Sequence, residues 1–377
     1  MKLETLKYIN KQWQIEENIL DKNKVDIVFT FGNRECIKKQ KNFKTLKNIY
    51  PNAQIVGCSS SGNILGESIS QESMIATALS FSKSHVEVSV QDFSTEENLY
   101  QVSQKLVNQL SKENLKHIFI LSDGLNMNGS LLAKGLNDTV DKNVSISGGL
   151  AGDGTDFLET WVIANDEAKQ NRLVAIGFYG ENLSIESGCY SGWSEFGILR
   201  KITKSKENIL YEIDGQPALE LYKKYLGDYA KELPLSALDF PMSIKESRDA
   251  DPIIRTVLAV DEENQSLIFA GDVPEGYLAR LMRANVDELI NGSEIAAEQI
   301  SKVNEKSALG LVVSCVGRRL VLKQLSDEEL EAIARTLGSN TQLTGFYSYG
   351  ELAPFSKEIL TCSLHNQTMT LTVIYED

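Results

Sequence analysis

The chain has 377 residues, 42% hydrophobic and 24% charged, an ordinary balance for a soluble globular protein with room for two or three cores. Its 52 acidic residues against 38 basic ones leave a formal charge of −14, which argues against a groove that neutralises many phosphates. Apolar runs of about six residues fall far short of the ~20 that span a bilayer, and the N-terminus alternates charges where a secretory leader needs an apolar core. A cytoplasmic protein that contacts neither membrane nor nucleic acid is expected. Five scattered cysteines without a C-x-x-C pair suit reduced thiols and argue against a zinc site.

In chain order, an irregular apolar stripe (Leu3, Leu6, Tyr8, Ile9, Trp13, Ile19, Leu20) predicts a helix over residues 1–23. DIVFTFGN, IVGCSSSG and MIATALSFS then read as three strands, the first two linked by a polar crossover whose basic run, Lys38–Lys47, is a solvated helix face. A surface helix is predicted over 95–112, capped by Thr95. The strand pattern returns as HIFILSDG, NVSISGGLAGDG and RLVAIGFYG, and again as ALGLVVSCVG, LTGFYSYGE and MTLTVIYE. Ile27 and Ile55 stand 28 positions apart, as do Ile118 and Ile146. Between the second and third copies, about 188–305 breaks the repeat. It holds a strand ending at the Asp214-Gly215 turn, a helix opened by Pro217, a strand pair over Ile254–Val273, and a long helix over about Asp287–Asn304. The fold class is α/β, with repeated β-α-β-β units forming mixed sheets in closely packed domains.

Strand ends rich in Gly and Ser leave space for a ligand, and polar groups concentrate there: Ser59 to Ser61, Asp123, Asp153, Asp156, Arg318, Arg319, Tyr347, Tyr349 and Glu351. Such a set suits a zwitterion, with Arg for a carboxylate and Asp or Glu for an ammonium. Cys58 and Cys315 sit at strand ends, but none of the three histidines (His85, His117, His365) is oriented locally as a base, so structural thiols are the preferred reading. GGLAGDG departs from a dinucleotide fingerprint in its spacing and in the Thr-Asp-Phe run after it, and neither a G-x-S-x-G elbow nor a phosphate loop occurs.

VGCSSSG, GGLAGDG, LYEIDGQPALELYKKYLG, SCVGRR, GFYSYGELAP and LHNQTMTL, in this order from about residue 24 to 375, resemble the FIST family, the paired FIST N and FIST C domains of prokaryotic sensory proteins. The resemblance implies FIST domains over 24–205 and 206–377, and a sensory, signal-transducing module that binds a small ligand, amino acids being the usual proposal, without catalysis of its own. It implies partners such as histidine kinases, cyclic-di-GMP enzymes and chemoreceptors; with no output segment evident in 377 residues, the partner is expected on another polypeptide. On the matched segments, physical reasoning assigns Arg318, Tyr347, Glu351 and Asn366 to face the ligand, with Ser59, Gly149 and Asp153 beside them. A haem-holding, nitric-oxide-sensing branch of the family leaves a second reading open, with His365 as candidate axial ligand. Strand parity nevertheless makes it a core histidine. A Cys-dependent enzyme is a third reading and an adaptor role a fourth.

Overall fold

The computed structural model describes residues 1–71, 73–301, 306–355 and 359–376. The three repeats predicted from the strand spacing form three sheets with one internal order. In each, the second strand of the unit lies parallel to the first, the third lies antiparallel on the first strand's other side, and a flanking strand pairs with the third. Unit one comprises Ile27–Gly32, Gln54–Ser59 and Met74–Ser80, flanked by Lys2–Ile9, with helices α1 (Arg34–Ile37) and α2 (Gln40–Ile49) in the crossover. Unit two opens on flanking strand His85–Asp92 and α3 (Leu99–Val107), then runs Leu115–Ser122, α4 (Gly129–Asn137), Ser145–Leu150 and Arg172–Tyr179. Unit three opens on flanking strand Leu183–Tyr190. An insertion over 194–283 comes next, a curved antiparallel sheet packed on α5 (Ala218–Leu226) with its own core around Leu210, Leu219, Leu267 and Phe269. Then come α6 (Val286–Glu298), Ala308–Cys315, α7 (Val316–Leu322), α8 (Ser326–Leu337), Thr341–Ser348 and Met369–Glu376.

Each second strand has a free edge, and each edge is filled by a segment from a different unit. Asn63–Leu65 of unit one pairs with Thr341–Ser348 of unit three. Gly350–Pro354 of unit three pairs with Ser145–Leu150 of unit two, and Val162–Ala164 of unit two pairs with Gln54–Ser59 of unit one. The exchange is cyclic and satisfies backbone groups that would otherwise be orphaned. Inner faces of the three sheets share one apolar centre, where Phe31 stacks on Phe346 at 4.9 Å and Phe29 meets Phe119 edge-on at 6.0 Å. Helices cover the outer faces: α2 over unit one, α3 and α4 over unit two, α6 and α8 over unit three. Among the described residues no helix is long and apolar enough to cross a membrane.

The helix expected over 1–23 is a hairpin, Lys2–Ile9 with Gln12–Ile15, turning through Asn10 and Lys11, both left-handed (φ 52° and 63°). The irregular stripe loses to the edge of Met74–Ser80, which needs a partner and takes Lys2 to Lys7 in register. Helix α3 is capped by the Asn98 side chain, which accepts from the Gln101 N–H at 3.3 Å; Thr95 lies upstream of it. The helix expected to run to Asn304 ends at Glu298, and 302–305 lie outside the described residues.

One steric feature recurs in all three units. Gly57, Gly148 and Gly345 sit in the second strands opposite Thr30, Ile120 and Val312. A Cβ there would lie 1.7, 2.1 and 1.8 Å from the carbonyl oxygen of that parallel neighbour. The obstructing atom belongs to backbone fixed in a ladder, so the site cannot relax. Replacing any of the three by alanine is expected to cost about 3 kcal/mol or more, read as a lowered urea midpoint in equilibrium unfolding.

Candidate functional site

The carboxyl ends of strands from all three units converge on one cleft of about 460 Å³. Unit one brings Arg34, just past the end of Ile27–Gly32, and Ser60 to Gly62, just past Gln54–Ser59. Unit two brings Asp153 to Asp156, and unit three brings Arg319 and Lys323 on and after α7. The small residues after each strand keep the chain close to the sheet ends while leaving the space above them open.

The cleft has an acidic wall and a cationic wall. On the acidic wall, Arg34 Nη1 donates to Asp153 Oδ2 at 2.7 Å and Arg34 Nη2 meets Asp156 Oδ2 at 2.9 Å. Asp153 also accepts the backbone N–H groups of Phe157, Leu158 and Glu159 at 2.9, 2.9 and 3.0 Å, and the Tyr349 hydroxyl. Burial pushes its acidity toward the neutral form, yet the Tyr349 and backbone donors and Arg34 together hold its carboxyl below the usual range. Asp153 is thus a fastener of the loop, whereas Asp156 is about half exposed and has capacity to accept more. On the cationic wall Arg319 donates to the Ser61 carbonyl and lies 5.4 Å over the Tyr347 ring. With the Gln71 amide turned to match its donors, Arg319 also reaches that oxygen at 2.7 and 2.9 Å. Among the described residues no carboxylate stands within ion-pair distance of Arg319 or Lys323. Burial shifts the Arg319 guanidinium downward, the signature of a cation short of solvent.

Of the residues assigned from sequence, Asp153 lines this cleft and the others lie elsewhere. Arg318, next to Arg319, is fully buried: Nε and Nη2 donate to Glu329 Oε2 at 3.1 and 2.9 Å, and Nη2 also reaches Leu289 O at 2.8 Å and Ser293 Oγ at 3.0 Å. Its Nη1 donates to Ser191 O. Tyr347 closes the same network, its hydroxyl donating to Glu329 Oε1 at 2.6 Å. The two residues staple α6, α7, α8 and a strand together, and both are fully buried outside the cleft lining. Ser59 lies beneath the cleft and accepts from Trp161 N–H at 3.0 Å; Gly149 lets the sheets of units two and three approach, since a Cβ would meet Val313 Cγ1 at 2.6 Å. Glu351 is buried, accepting from Ser348 Oγ at 2.6 Å and Thr368 N–H at 3.2 Å, and burial pushes its carboxyl up to about 8. Asn366 donates to the His365 carbonyl at 3.0 Å, and its own Oδ1 finds no partner among the described residues. Arg34, Gln71 and Lys323 were not singled out from the sequence. The signal for Arg34 was an Asn N-cap directly after a strand, which places the next side chain at the sheet's carboxyl edge.

His365 does not fit an axial haem ligand. It is buried, with Nε2 3.2 Å from Ala353 O and its ring against Phe355 at 5.0 Å, and burial pulls it to about 4. The cleft lining contains neither His nor Cys. Cys58 and Cys315 are buried thiols that burial pushes upward, away from a reactive thiolate. His117 is enclosed between Ser145 Oγ and Ser147 Oγ at 2.7 and 2.9 Å, and burial pulls it to about 3.

The model of the FIST N domain matches residues 26–216 and that of the FIST C domain matches 218–354. A Methanocaldococcus jannaschii protein described as uncharacterized is 25% identical over 262 residues, 62% of this chain and 49% of its own length, so the chain spans about half of the curated relative it matches. Among solved structures, cyanuric acid hydrolase from A. caulinodans superposes with TM-score 0.33 at 8% identity, covering 93% of this chain and 90% of its own. A second cyanuric acid hydrolase gives 0.32 at 10%, covering 95% and 92%. Superpositions this loose carry no argument about fold or activity.

Removing one partner of the buried pair, by Arg318→Met or Glu329→Gln, is expected to cost about 3–5 kcal/mol in urea unfolding, because the other charge stays buried. A distinct pH dependence arises from the three shifted groups. Glu351 binds its proton more tightly folded than unfolded, so its contribution is full below 4.5 and is lost as pH rises through about 8. His117 and His365 bind theirs less tightly when folded, so their contribution is present above 6.5 and is lost as pH falls toward 4 and 3. Thermal midpoints measured from pH 5 to 8.5 should therefore peak near 6.5, and Glu351→Gln should flatten the alkaline fall.

Proposed function

The chain belongs to the FIST family, a small-ligand sensory family, and from that premise we propose that it binds a small zwitterionic metabolite, a free amino acid or close analogue, in the three-unit cleft. The observation that carries this reading is that one lining holds charges of both signs. Arg319 lines the cleft with no carboxylate partner among the described residues, and the half-exposed Asp156 lines the same cleft. A ligand carboxylate takes the planar guanidinium in bidentate fashion, and its ammonium takes Asp156. Ser60, Ser61 and Gln71 supply the remaining polar contacts, and about 460 Å³ lies in the ordinary range for small-molecule pockets.

The role proposed for the bound state is signalling, in the cytoplasm, to a partner such as a histidine kinase, a cyclic-di-GMP enzyme or a chemoreceptor. The walls come from different units, so a ligand bridging them favours the arrangement that brings those units closest, and its differential affinity is the signal. No catalytic step is assigned: the lining offers carboxylates, guanidinium and hydroxyls but no activated nucleophile.

Thermal unfolding with each free amino acid at millimolar concentration tests the reading. A ligand at a hundred times its Kd stabilises by about 2.7 kcal/mol, a visible rise in midpoint. The rise should vanish in Arg319→Ala and shrink in Asp156→Asn, while both variants unfold cooperatively without ligand. Absence of any rise across the panel, or a rise that persists in Arg319→Ala, refutes the assignment.

A further inference from the structure

The inserted sheet over 194–283 carries a second cavity, of about 430 Å³, remote in character from the polar cleft. Its wall is four aromatic rings set at angles to one another. Phe196 and Tyr225 meet at 72°, Phe196 and Phe240 at 49°, and Phe240 and Tyr229 at 51°, with centroids 5.3 to 6.4 Å apart. The rings meet tilted or edge-to-face rather than stacked, and all four border the cavity. Phe196 reaches this position through an irregularity in its strand: register with the neighbouring strand shifts between Phe196 and Arg200, and Gly197 is left-handed (φ 87°). A Cβ on Gly197 would stand 3.3 Å from the Tyr225 ring, so the bulge and the aromatic wall are one construction.

Two opposite charges line the same cavity. The Arg283 guanidinium lies 6.0 Å from the Phe196 centroid, and the Asp239 carboxylate lies on the segment that also carries Phe240. Among the described residues neither side chain forms an ion pair with the other or with any third group. Asp239 feels Lys323 electrostatically, and burial raises its carboxyl, the state of an acid desolvated without a bonded partner. Aromatic faces hold a cation without hydrogen bonds, so the four rings suit a quaternary ammonium, with the Asp239 carboxylate as its counter-ion. Arg283 then matches a carboxylate on the same molecule.

We propose that this cavity is a second ligand site, for a small quaternary-ammonium carboxylate, with the ammonium among the rings of Phe196, Tyr225, Tyr229 and Phe240 beside Asp239 and the carboxylate on Arg283. This site is independent of the amino-acid reading of the cleft. Binding proceeds without proton transfer, because the methylated nitrogen carries none.

Isothermal titration of the full chain with glycine betaine tests it, with choline and glycine as comparators. Saturable binding of betaine is expected, weakened about three- to thirtyfold in Tyr229→Ala and about tenfold in Arg283→Gln. Choline, lacking the carboxylate, should bind the parent more weakly than betaine and be indifferent to Arg283→Gln. Tyr229 is 58% exposed, so its truncation leaves the inserted core intact, and Tyr229→Phe should retain binding. Binding that survives Tyr229→Ala but is lost in Arg319→Ala would place betaine in the cleft and overturn the proposal, as would the absence of saturable betaine binding.

Discussion

An unpaired strand edge inside a protein is not tolerated, and the architecture is organised around that constraint. Each of the three units leaves the outer edge of its second strand open, and each is completed by a segment from another unit. The exchange cannot be undone one unit at a time. A unit removed from the ring would expose both its own edge and the segment it lends, in addition to its share of the common aromatic centre around Phe31, Phe119 and Phe346. Cooperativity among units therefore draws on backbone hydrogen bonds as well as on apolar burial.

The cleft is a by-product of the same exchange. To reach another sheet, the chain leaves the carboxyl end of a second strand and crosses the top of the ring, and the crossing segments become walls. Ser60 to Gly62 lead unit one toward unit three, and Asp153 to Asp156 lead unit two toward unit one. The crossing also explains why the acidic wall is so heavily fastened. Asp153 gathers three backbone donors, a tyrosine and an arginine, and in doing so fixes a loop that has no sheet of its own.

Adjacent residues on α7 show how one helix divides its charges. Arg318 turns into the protein and meets Glu329, two serines' oxygens and a backbone carbonyl, whereas Arg319 turns toward the cleft and meets only neutral oxygens and a ring. About 100° of rotation between successive helical positions separates a structural cation from one with unused capacity. The other face of α7 leans on the inserted sheet, with Leu322 packed beside Trp193, Ile254 and Met282.

The chain alone determined the three-fold repetition, because strand spacing and small residues are local. Gly57, Gly148 and Gly345 recur where a parallel neighbour's carbonyl excludes a side chain, and that exclusion is written in the residue itself. Mixed α/β class, the Asp214-Gly215 turn and the helix after Pro217 were legible for the same reason. The cleft was legible in outline: polar residues gather at strand ends, and Asp153, Asp156, Ser61 and Arg319 line it. The N-terminal hairpin was not, because its strand state is imposed by an edge formed by residues 75–80. Nor could spacing distinguish Arg318 from Arg319, or reveal that Glu351 and Asn366 are enclosed. Those outcomes depend on which helix rotation and which exchanged strand covers each side chain, and only the assembled ring decides that.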